Sequence, residues 1–250
     1  MTTARVSAER FVPMGGTKTD YNIAERVVMM CASALFAGLS ESECLEIATC
    51  AHAKTYARDE LLFMQGQPVR SLMLIQSGSV KLTQISSSGN EAILWMNGSG
   101  DPVGFHADAM GCSHTCSARA MENCKAAVWE YNRLQQLLTQ YPQIRKNIVQ
   151  ILSGRLNELQ ERFREMATEK VGRRLALTLI RLMKQVGKPA HGGVQINLSR
   201  EELAQMTGTT LFTISRLLSQ WSEEGLVIPR REAVVVLDAR RLERLSASAE

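Results

Sequence analysis

Two cysteines and a histidine lie close together near the middle of the chain, in the segment CSHTC that begins at residue 112. Thiolates and imidazoles ligate zinc, other transition metals and iron–sulfur clusters, so Cys112, His114 and Cys116 are candidate metal ligands. This group supplies only two or three ligands, and Cys124 is the next candidate along the chain. Metal or cluster ligation is therefore one hypothesis for this segment.

Three other interpretations of the segment remain open. The two thiols could form a reversible disulfide that senses redox state in a reducing compartment. They could equally be buried cysteines that act as small hydrophobic residues beside a structural histidine. Haem is a further option, with candidate axial ligands in His52, His106, Met110, His114 and the cysteines. No spacing among these residues singles out one of them.

The segment 197–224 predicts two short helices joined by a tight turn. Ser199 is a suitable N-cap, followed by acidic residues in the first helical turn, and Gly208 lets the chain leave the first helix. Thr209 or Thr210 then caps a second helix that ends at Gly225. The apolar residues of this second helix follow helical spacing: Leu211, Ile214, Leu217, Leu218 and Trp221. The pattern is that of a helix-turn-helix.

The second helix has the chemistry needed to read DNA. A helix fits the major groove, and its N-terminal residues meet base edges first. The residues left outside the apolar stripe are Phe212, Thr213, Ser215, Arg216 and Ser219. Arg216 suits two hydrogen bonds to guanine, whereas Phe212 offers only apolar contact to a thymine methyl group. Further DNA contacts are expected from Arg200, Thr209 and Thr210.

The flanking segments complete a winged domain. After Gly225, two short runs rich in aliphatic residues, 226–228 and 233–237, enclose Arg230 and Arg231. This pattern predicts a β-hairpin with a basic tip that contacts the phosphate backbone. The preceding segment 169–186 has the periodicity of an amphipathic helix.

Residues 171–237 resemble the DNA-binding domain of the Crp/Fnr family of bacterial transcription regulators. The resemblance rests on VGRRLALTLIRL, LSREELAQMTGTT, TISRLL and EEGLV. It implies that Arg216 reads guanine, with Thr213 and Ser215 as supporting contacts. A glutamate that commonly reads a base in this family is replaced by Phe212, so the glutamate's role does not carry over.

Between residues 54 and 131 the sequence predicts short strands separated by glycines. The LFAGLS step, the spacing of Gly66, Gly78 and Gly104, and the GDPVGF segment resemble the cyclic-nucleotide-binding fold of the same family. The expected fold class is α+β: an N-terminal antiparallel β-roll, a long dimerisation helix and a C-terminal winged helix-turn-helix. The expected domains are a mobile arm (1–22), a β-roll sensor (23–140), the dimerisation helix (141–167) and the DNA-binding domain (168–250).

The expected effector pocket differs from that of the family's cyclic-nucleotide binders. Its residues are Gly104, Phe105, His106, His114, Thr115 and Cys116. The resemblance places Phe105 where a glutamate holds the ribose, and His114-Thr115 where an Arg-Ser/Thr pair holds the phosphate. A cyclic phosphate needs such a cation or backbone N–H groups, so cyclic AMP is disfavoured as effector.

The segment GDPVGFHADAMG is more similar to the Fnr-type branch, which suggests an iron–sulfur cluster with four ligands. The Fnr pattern has three cysteines in the N-terminal arm and one in the β-roll. Here no cysteine precedes Cys31, and the β-roll position is Trp129. The Fnr cluster is therefore not expected. The cofactor stays undetermined, with haem and a different iron–sulfur arrangement as options.

A helix of about 25 residues is predicted between Pro142 and Ala167. Its apolar series is too long for one small domain, which predicts a two-fold dimer and an inverted-repeat operator. The expected interface residues are Ile148, Leu152, Leu159, Phe163 and Met166.

Charge and composition agree with a DNA-binding partner. The net charge is +4, and residues 170–250 hold 13 Lys/Arg against 8 Asp/Glu.

The absence of a long apolar run and of a signal peptide predicts a cytoplasmic protein without a membrane partner. RNA polymerase is a further expected partner if the protein activates transcription. The sequence holds no nucleophile elbow, phosphate loop or HExxH motif, so no enzyme activity is predicted.

The expected mechanism has three links. A signal changes the β-roll around residues 104–124, the dimer helix shifts, and the winged domains move into or out of register with the DNA. The alternative function is a cyclic-nucleotide-binding regulatory module that does not bind DNA.

Overall fold

The computed structural model describes residues 18–87, 89, 91–104 and 113–247. These residues divide into two compact units, one formed by 18–80 with 98–155 and the other by 81–97 with 156–247. Most of the expected N-terminal arm lies outside the described residues, as do Phe105, His106, Met110 and Cys112.

The described residues form eight α-helices and twelve β-strands. The helices are α1 (Lys18–Ala32), α2 (Glu41–Thr49), α3 (Tyr131–Gln140), α4 (Pro142–Thr168), α5 (Val171–Gln185), α6 (Arg200–Thr207), α7 (Leu211–Glu223) and α8 (Ala239–Ala247). The strands are β1 (His52–Tyr56), β2 (Leu61–Phe63), β3 (Ser71–Ser77), β4 (Val80–Ile85), β5 (Glu91–Asn97), β6 (Pro102–Val103), β7 (Ser117–Ala120), β8 (Cys124–Glu130), β9 (Lys188–Ala190), β10 (Gly193–Ile196), β11 (Val227–Pro229) and β12 (Val234–Val236). Among the helices described, none has the length and apolarity that a bilayer crossing needs.

The first unit is built on an antiparallel sheet in the order β1-β8-β3-β6, and β2 pairs with β7. Alternate residues of β3 point to opposite faces, so Leu72 and Leu74 pack with Trp129 in the same apolar cluster as α1 and α2. The indole N–H of Trp129 donates to the carbonyl of Ile47 at 3.0 Å. The predicted antiparallel β-roll is confirmed.

An N-cap defines the start of α2, and a buried face holds α4 in this unit. Ser40 caps α2 in a capping box with Glu43. The first part of α4 completes the core, because Ile144 and Ile148 are buried in the cluster that contains Trp129.

The second unit is the winged helix-turn-helix that the sequence predicted. Helices α5, α6 and α7 share a core that includes Leu179, Leu203 and Leu218. The wing strands β11 and β12 pair as an antiparallel hairpin, and β12 also pairs with β10, so the sheet has the order β11-β12-β10-β9. The strands β9 and β10 and the helix α8 are additions that the sequence patterns did not predict.

All of β5, and β4 apart from its first residue, also belong to the second unit. The ammonium group of Lys81 contacts Glu202 of α6 at 2.7 Å, and both side chains are largely buried. The guanidinium of Arg162 in α4 donates to the backbone carbonyls of Ile93 and Leu94 in β5. This hairpin is therefore held to α4 and α6 by polar contacts.

Candidate nucleic-acid interface

Helix α6 has defined ends that follow from its sequence. The hydroxyl of Ser199 accepts from the backbone N–H of Glu202, whose carboxylate accepts in return from the N–H of Ser199. Gly208 ends the helix in the left-handed conformation, with φ 58° and ψ 48°. A side chain with a Cβ rarely adopts this conformation, so glycine is the residue that permits the sharp turn into α7.

Helix α7 is oriented by its cap and its buried face. The hydroxyl of Thr210 accepts from the N–H of Thr213 at 3.2 Å, and the two threonine hydroxyls lie 3.0 Å apart. On the inner face, Ile214, Leu218 and Trp221 are buried. Because these contacts fix the rotation of α7 about its axis, the opposite face points away from the core of the second unit.

The outer face of α7 presents an aromatic ring, a guanidinium and a hydroxyl at helical spacing. Phe212 is 78% exposed, and Arg216 and Ser219 are also exposed. Thr213 and Ser215 are half-buried, so they lie at the sides of this face. The predicted reading residues therefore differ in access, with Phe212 and Arg216 most open to a partner.

Leu211 differs from its predicted place in the apolar stripe, because it is 51% exposed. It is the first residue of α7, and its apolar spacing with the rest of the helix does not ensure that it is buried.

Two of the candidate DNA contacts before α7, Arg200 and Thr209, are less open. Thr209 is half-buried. Arg200, the first residue of α6, is half-buried, and its Nε is enclosed without a hydrogen-bond partner. Arg216 therefore offers the more accessible guanidinium.

The tip of the wing carries two exposed arginines. The backbone N–H of Arg230 donates to the carbonyl of Ala233 at 2.7 Å, which closes the turn between β11 and β12. The side chain of Arg230 donates to Gln195 at 2.9 Å, whereas Arg231 extends from the turn as an exposed residue. A basic hairpin tip of this kind suits phosphate contact.

The expected effector pocket is only partly described, because it includes residues of the 105–112 segment. Gly104 has φ 79°, and a Cβ there would lie 2.9 Å from the carbonyl oxygen of Ser71. The His114 ring is buried and stacked on Phe63, with centroids 3.8 Å apart. Its neighbour Thr115 is exposed. His114 thus has the packing of a structural aromatic residue.

This arrangement does not fit a cyclic phosphate. In the described part of the β-roll, the position expected for a phosphate-binding arginine holds the stacked ring of His114. Arg119 does not replace it, because its guanidinium donates to the carbonyl of Asp59 at 2.7 Å on an exposed surface. Neither His114 nor Arg119 therefore provides the cation that the resemblance leads us to expect for that phosphate.

The cysteines near the pocket lie in different surroundings. Burial raises the pKa of the half-buried Cys116 thiol. The Cys124 thiol is buried and donates to the carbonyl of Ser79 at 3.2 Å. Within the residues that the structure describes, no group of three or more His, Cys, Asp or Glu side chains is arranged to hold a metal ion. Cys112, the remaining candidate ligand, lies outside those residues.

A thiol pair that the sequence did not predict lies between α1 and α2. Burial, together with the charge and the hydrogen bond of the neighbouring Cys31 thiol, raises the pKa of Cys44 to about 12. Cys50 accepts from the guanidinium of Arg133 at 3.0 Å. Sequence separation gave no signal for either contact, because each joins residues from different elements.

The apolar residues of α4 fall into two groups. Ile148 is buried in the core of the first unit, and Leu152 packs against that core. The other group consists of exposed large apolar side chains on α4: Val149, Leu156, Leu159, Phe163 and Met166. Phe163 is 77% exposed, whereas the predicted interface residue Ile148 is only 2% exposed because it packs within its own β-roll.

Comparison with known proteins agrees with both units. Residues 173–245 match the Crp-like helix-turn-helix domain, and residues 53–141 match the cyclic nucleotide-binding domain. The chain is 28% identical over 201 residues to electron transport regulator A of Shewanella oneidensis, covering 78% of this chain and 79% of that protein. It is 27% identical over 201 residues to the regulatory protein HlyX of Actinobacillus pleuropneumoniae, covering 79% of this chain and 83% of that protein.

Solved structures show the same fold. FixK2 from Bradyrhizobium japonicum superposes with a TM-score of 0.69 at 22% identity, covering 80% of this chain and 99% of that chain. The c-di-GMP responsive global regulator CLP of Xanthomonas campestris superposes with a TM-score of 0.68 at 27% identity, covering 80% of this chain and 100% of that chain. A β-roll and a winged helix-turn-helix in one chain define a class of DNA-binding transcription regulators. The two domain matches and the similarity to these regulators support a Crp/Fnr family regulator.

Proposed function

We propose that this regulator binds an inverted-repeat operator as a homodimer and reads each half-site with the outer face of α7. The observation that carries the proposal is the exposed row of Phe212, Arg216 and Ser219 on a helix whose cap and buried face fix its orientation. Arg216 suits a guanine contact through two hydrogen bonds. Arg231 at the wing tip suits a phosphate of the same half-site.

The apolar surface of α4 supports the dimer. Val149, Leu152, Leu156, Leu159, Phe163 and Met166 are spaced alternately by three and four residues, which is the a/d pattern of a two-stranded coiled coil. Five of these six residues are exposed in the single chain. A second copy that packs along this row removes the apolar surface from water, and a two-fold axis places two copies of α7 about 34 Å apart.

The first unit is proposed to receive the signal. Its β-roll matches the cyclic nucleotide-binding domain, but the position expected for a phosphate-binding arginine holds His114. We therefore propose an effector other than a cyclic nucleotide, and we leave its chemistry open between a small molecule, a haem, an iron–sulfur cluster and thiol oxidation. If the protein activates transcription, RNA polymerase is the expected partner at the promoter. Its location is then the cytoplasm, with the chromosome.

The test begins with selection of binding sites from a pool of random-sequence duplexes. We expect enrichment of an inverted repeat that contains a guanine in each half-site. Arg216→Ala should lower the preference for the selected duplex over random duplex by roughly tenfold to a hundredfold per contacted base pair. Arg240→Ala removes the same charge from an exposed residue of α8 and should leave that preference unchanged.

Two results would contradict the proposal. Failure to enrich any sequence would remove the DNA-reading function. An unchanged preference in Arg216→Ala, with enrichment intact, would remove only the assignment of Arg216. With either result, binding to duplex DNA should weaken as the salt concentration rises, because phosphate contacts release counterions.

A further inference from the structure

Phe212 is the most exposed large apolar side chain among the described residues. It is the second residue of α7, so it stands at the end of the helix that enters a groove first. A free phenylalanine ring in water at this place is not explained by the core, because the side chains that hold α7 in place are Ile214, Leu218 and Trp221. Its ring is available to a partner.

The ring can read only one kind of feature on a base-pair edge. Phenylalanine carries no hydrogen-bonding group, and the apolar group in the major groove is the C5 methyl of thymine. Cytosine carries a hydrogen at the same carbon. The hydroxyls of Thr210 and Thr213 are engaged with each other and with the helix cap, so the aromatic ring dominates this end of α7.

The position of the methyl group relative to guanine follows from the helix. Phe212 and Arg216 are four residues apart on one face, where Cβ atoms are separated by about 6 Å. Base pairs rise by about 3.4 Å each. We infer that Phe212 reads the C5 methyl group of a thymine about two base pairs from the guanine that Arg216 contacts, an inference that rests on the proposed DNA-reading function.

The methyl group can be removed without any other change to the DNA. The selected duplex is synthesised with deoxyuridine in place of thymidine at one position at a time, which deletes a single methyl group and keeps base pairing. We expect one sensitive position per half-site. Loss of one buried methyl group should weaken binding roughly fourfold per half-site, and roughly sixteenfold when both half-sites are changed.

A second pair of duplexes isolates the same methyl group on another base. Cytosine and 5-methylcytosine are placed at the sensitive position, each paired with guanine. The methylated duplex should bind about fourfold more tightly than the unmethylated one.

Protein variants assign the effect to the ring. Phe212→Ala should bind the selected duplex with no difference between thymine and uracil, and Phe212→Leu should keep part of the difference. Leu211→Ala is the matched control, because it shortens an exposed apolar side chain one residue away and about 100° around the helix. It should leave the difference intact.

The outcomes separate this inference from the function on which it rests. A methyl effect that disappears in Phe212→Ala and persists in Leu211→Ala supports it. The inference is overturned if no position responds to uracil, or if Phe212→Ala shows the same difference between thymine and uracil as the natural protein. Phe212 would then be free for a protein partner. Enrichment of an operator would still support the DNA-reading function. Failure to enrich any sequence would overturn the function and this inference together.

Discussion

The guanidinium of Arg181 in α5 binds both carboxylate oxygens of Glu165 in α4, with N–O distances of 2.6 and 2.9 Å. The side chains are 22% and 6% exposed, so the pair is largely removed from water. A paired guanidinium and carboxylate satisfy each other in such a place, whereas either one alone would be a poorly solvated charge. This contact fixes the C-terminal part of α4 to the DNA-binding domain.

Removal of one partner should therefore be costly. We expect Glu165→Ala to lower the free energy of unfolding by about 3 kcal/mol, because Arg181 would remain buried without its counter-ion. Urea denaturation followed by circular dichroism measures this value. The control is Glu161→Ala, whose partner Arg164 forms an exposed pair and whose loss should cost much less than that of Glu165. Equal losses in the two variants would contradict the assigned burial.

Two glycines separate the cost of backbone conformation from the cost of crowding. Gly66 and Gly78 have nearly the same φ, 84° and 86°, so alanine is strained at both. A Cβ at Gly78 would lie 2.6 Å from the Sγ of Cys124, whereas a Cβ at Gly66 meets nothing within 4 Å. We expect Gly78→Ala to be less stable than Gly66→Ala by at least about 1 kcal/mol in thermal or urea unfolding. Comparable stabilities would show that the turn at Gly78 can open to admit a side chain.

Asp101 should make the first unit less stable as the pH rises. Burial raises the pKa of its carboxyl group, while the N–H of Gly98 and the charge of Arg155 act in the opposite direction. The folded protein therefore holds this proton more tightly than the unfolded chain, so stability is lost as pH rises from about 3.9, the unfolded value, through the folded pKa.

Asp101→Asn keeps an oxygen that can accept from Gly98 and removes the charge. Its stability relative to the natural protein should increase from pH 4 to pH 7, as measured by urea midpoints at each pH. Asp59→Asn changes an exposed carboxylate and controls for the loss of one negative charge. A stability difference that does not change with pH would rule out this role of Asp101.

Phe163 should report on the dimer. A carboxylate in place of its exposed ring would face its symmetry mate in a parallel coiled coil, so Phe163→Glu should shift the protein from dimer to monomer. Sedimentation velocity at micromolar concentration measures the shift, and operator affinity should fall with it. Leu45→Glu places the same charge on an exposed apolar site of α2 and should leave the dimer intact. The proposed interface is wrong if Phe163→Glu remains dimeric.

Local sequence determined where helix α6 begins and ends and where the wing forms. Ser199 caps α6 as predicted, and Gly208 ends this helix at the predicted place. These features depend on backbone groups a few residues away, so short patterns were enough to predict them. The same holds for the wing, where two aliphatic runs pair across the predicted basic turn.

Tertiary structure decided which side chains are available for function. Ile148 and Phe163 occupy the same predicted apolar stripe of α4, yet one is buried in the first unit's core and the other is exposed. The ring of His114 stacks on that of Phe63, and the thiol of Cys44 has the thiol of Cys31 as its neighbour. Helical and strand periodicity specify the direction of a side chain from its own element. Which other element lies in that direction depends on how distant parts of the chain pack together.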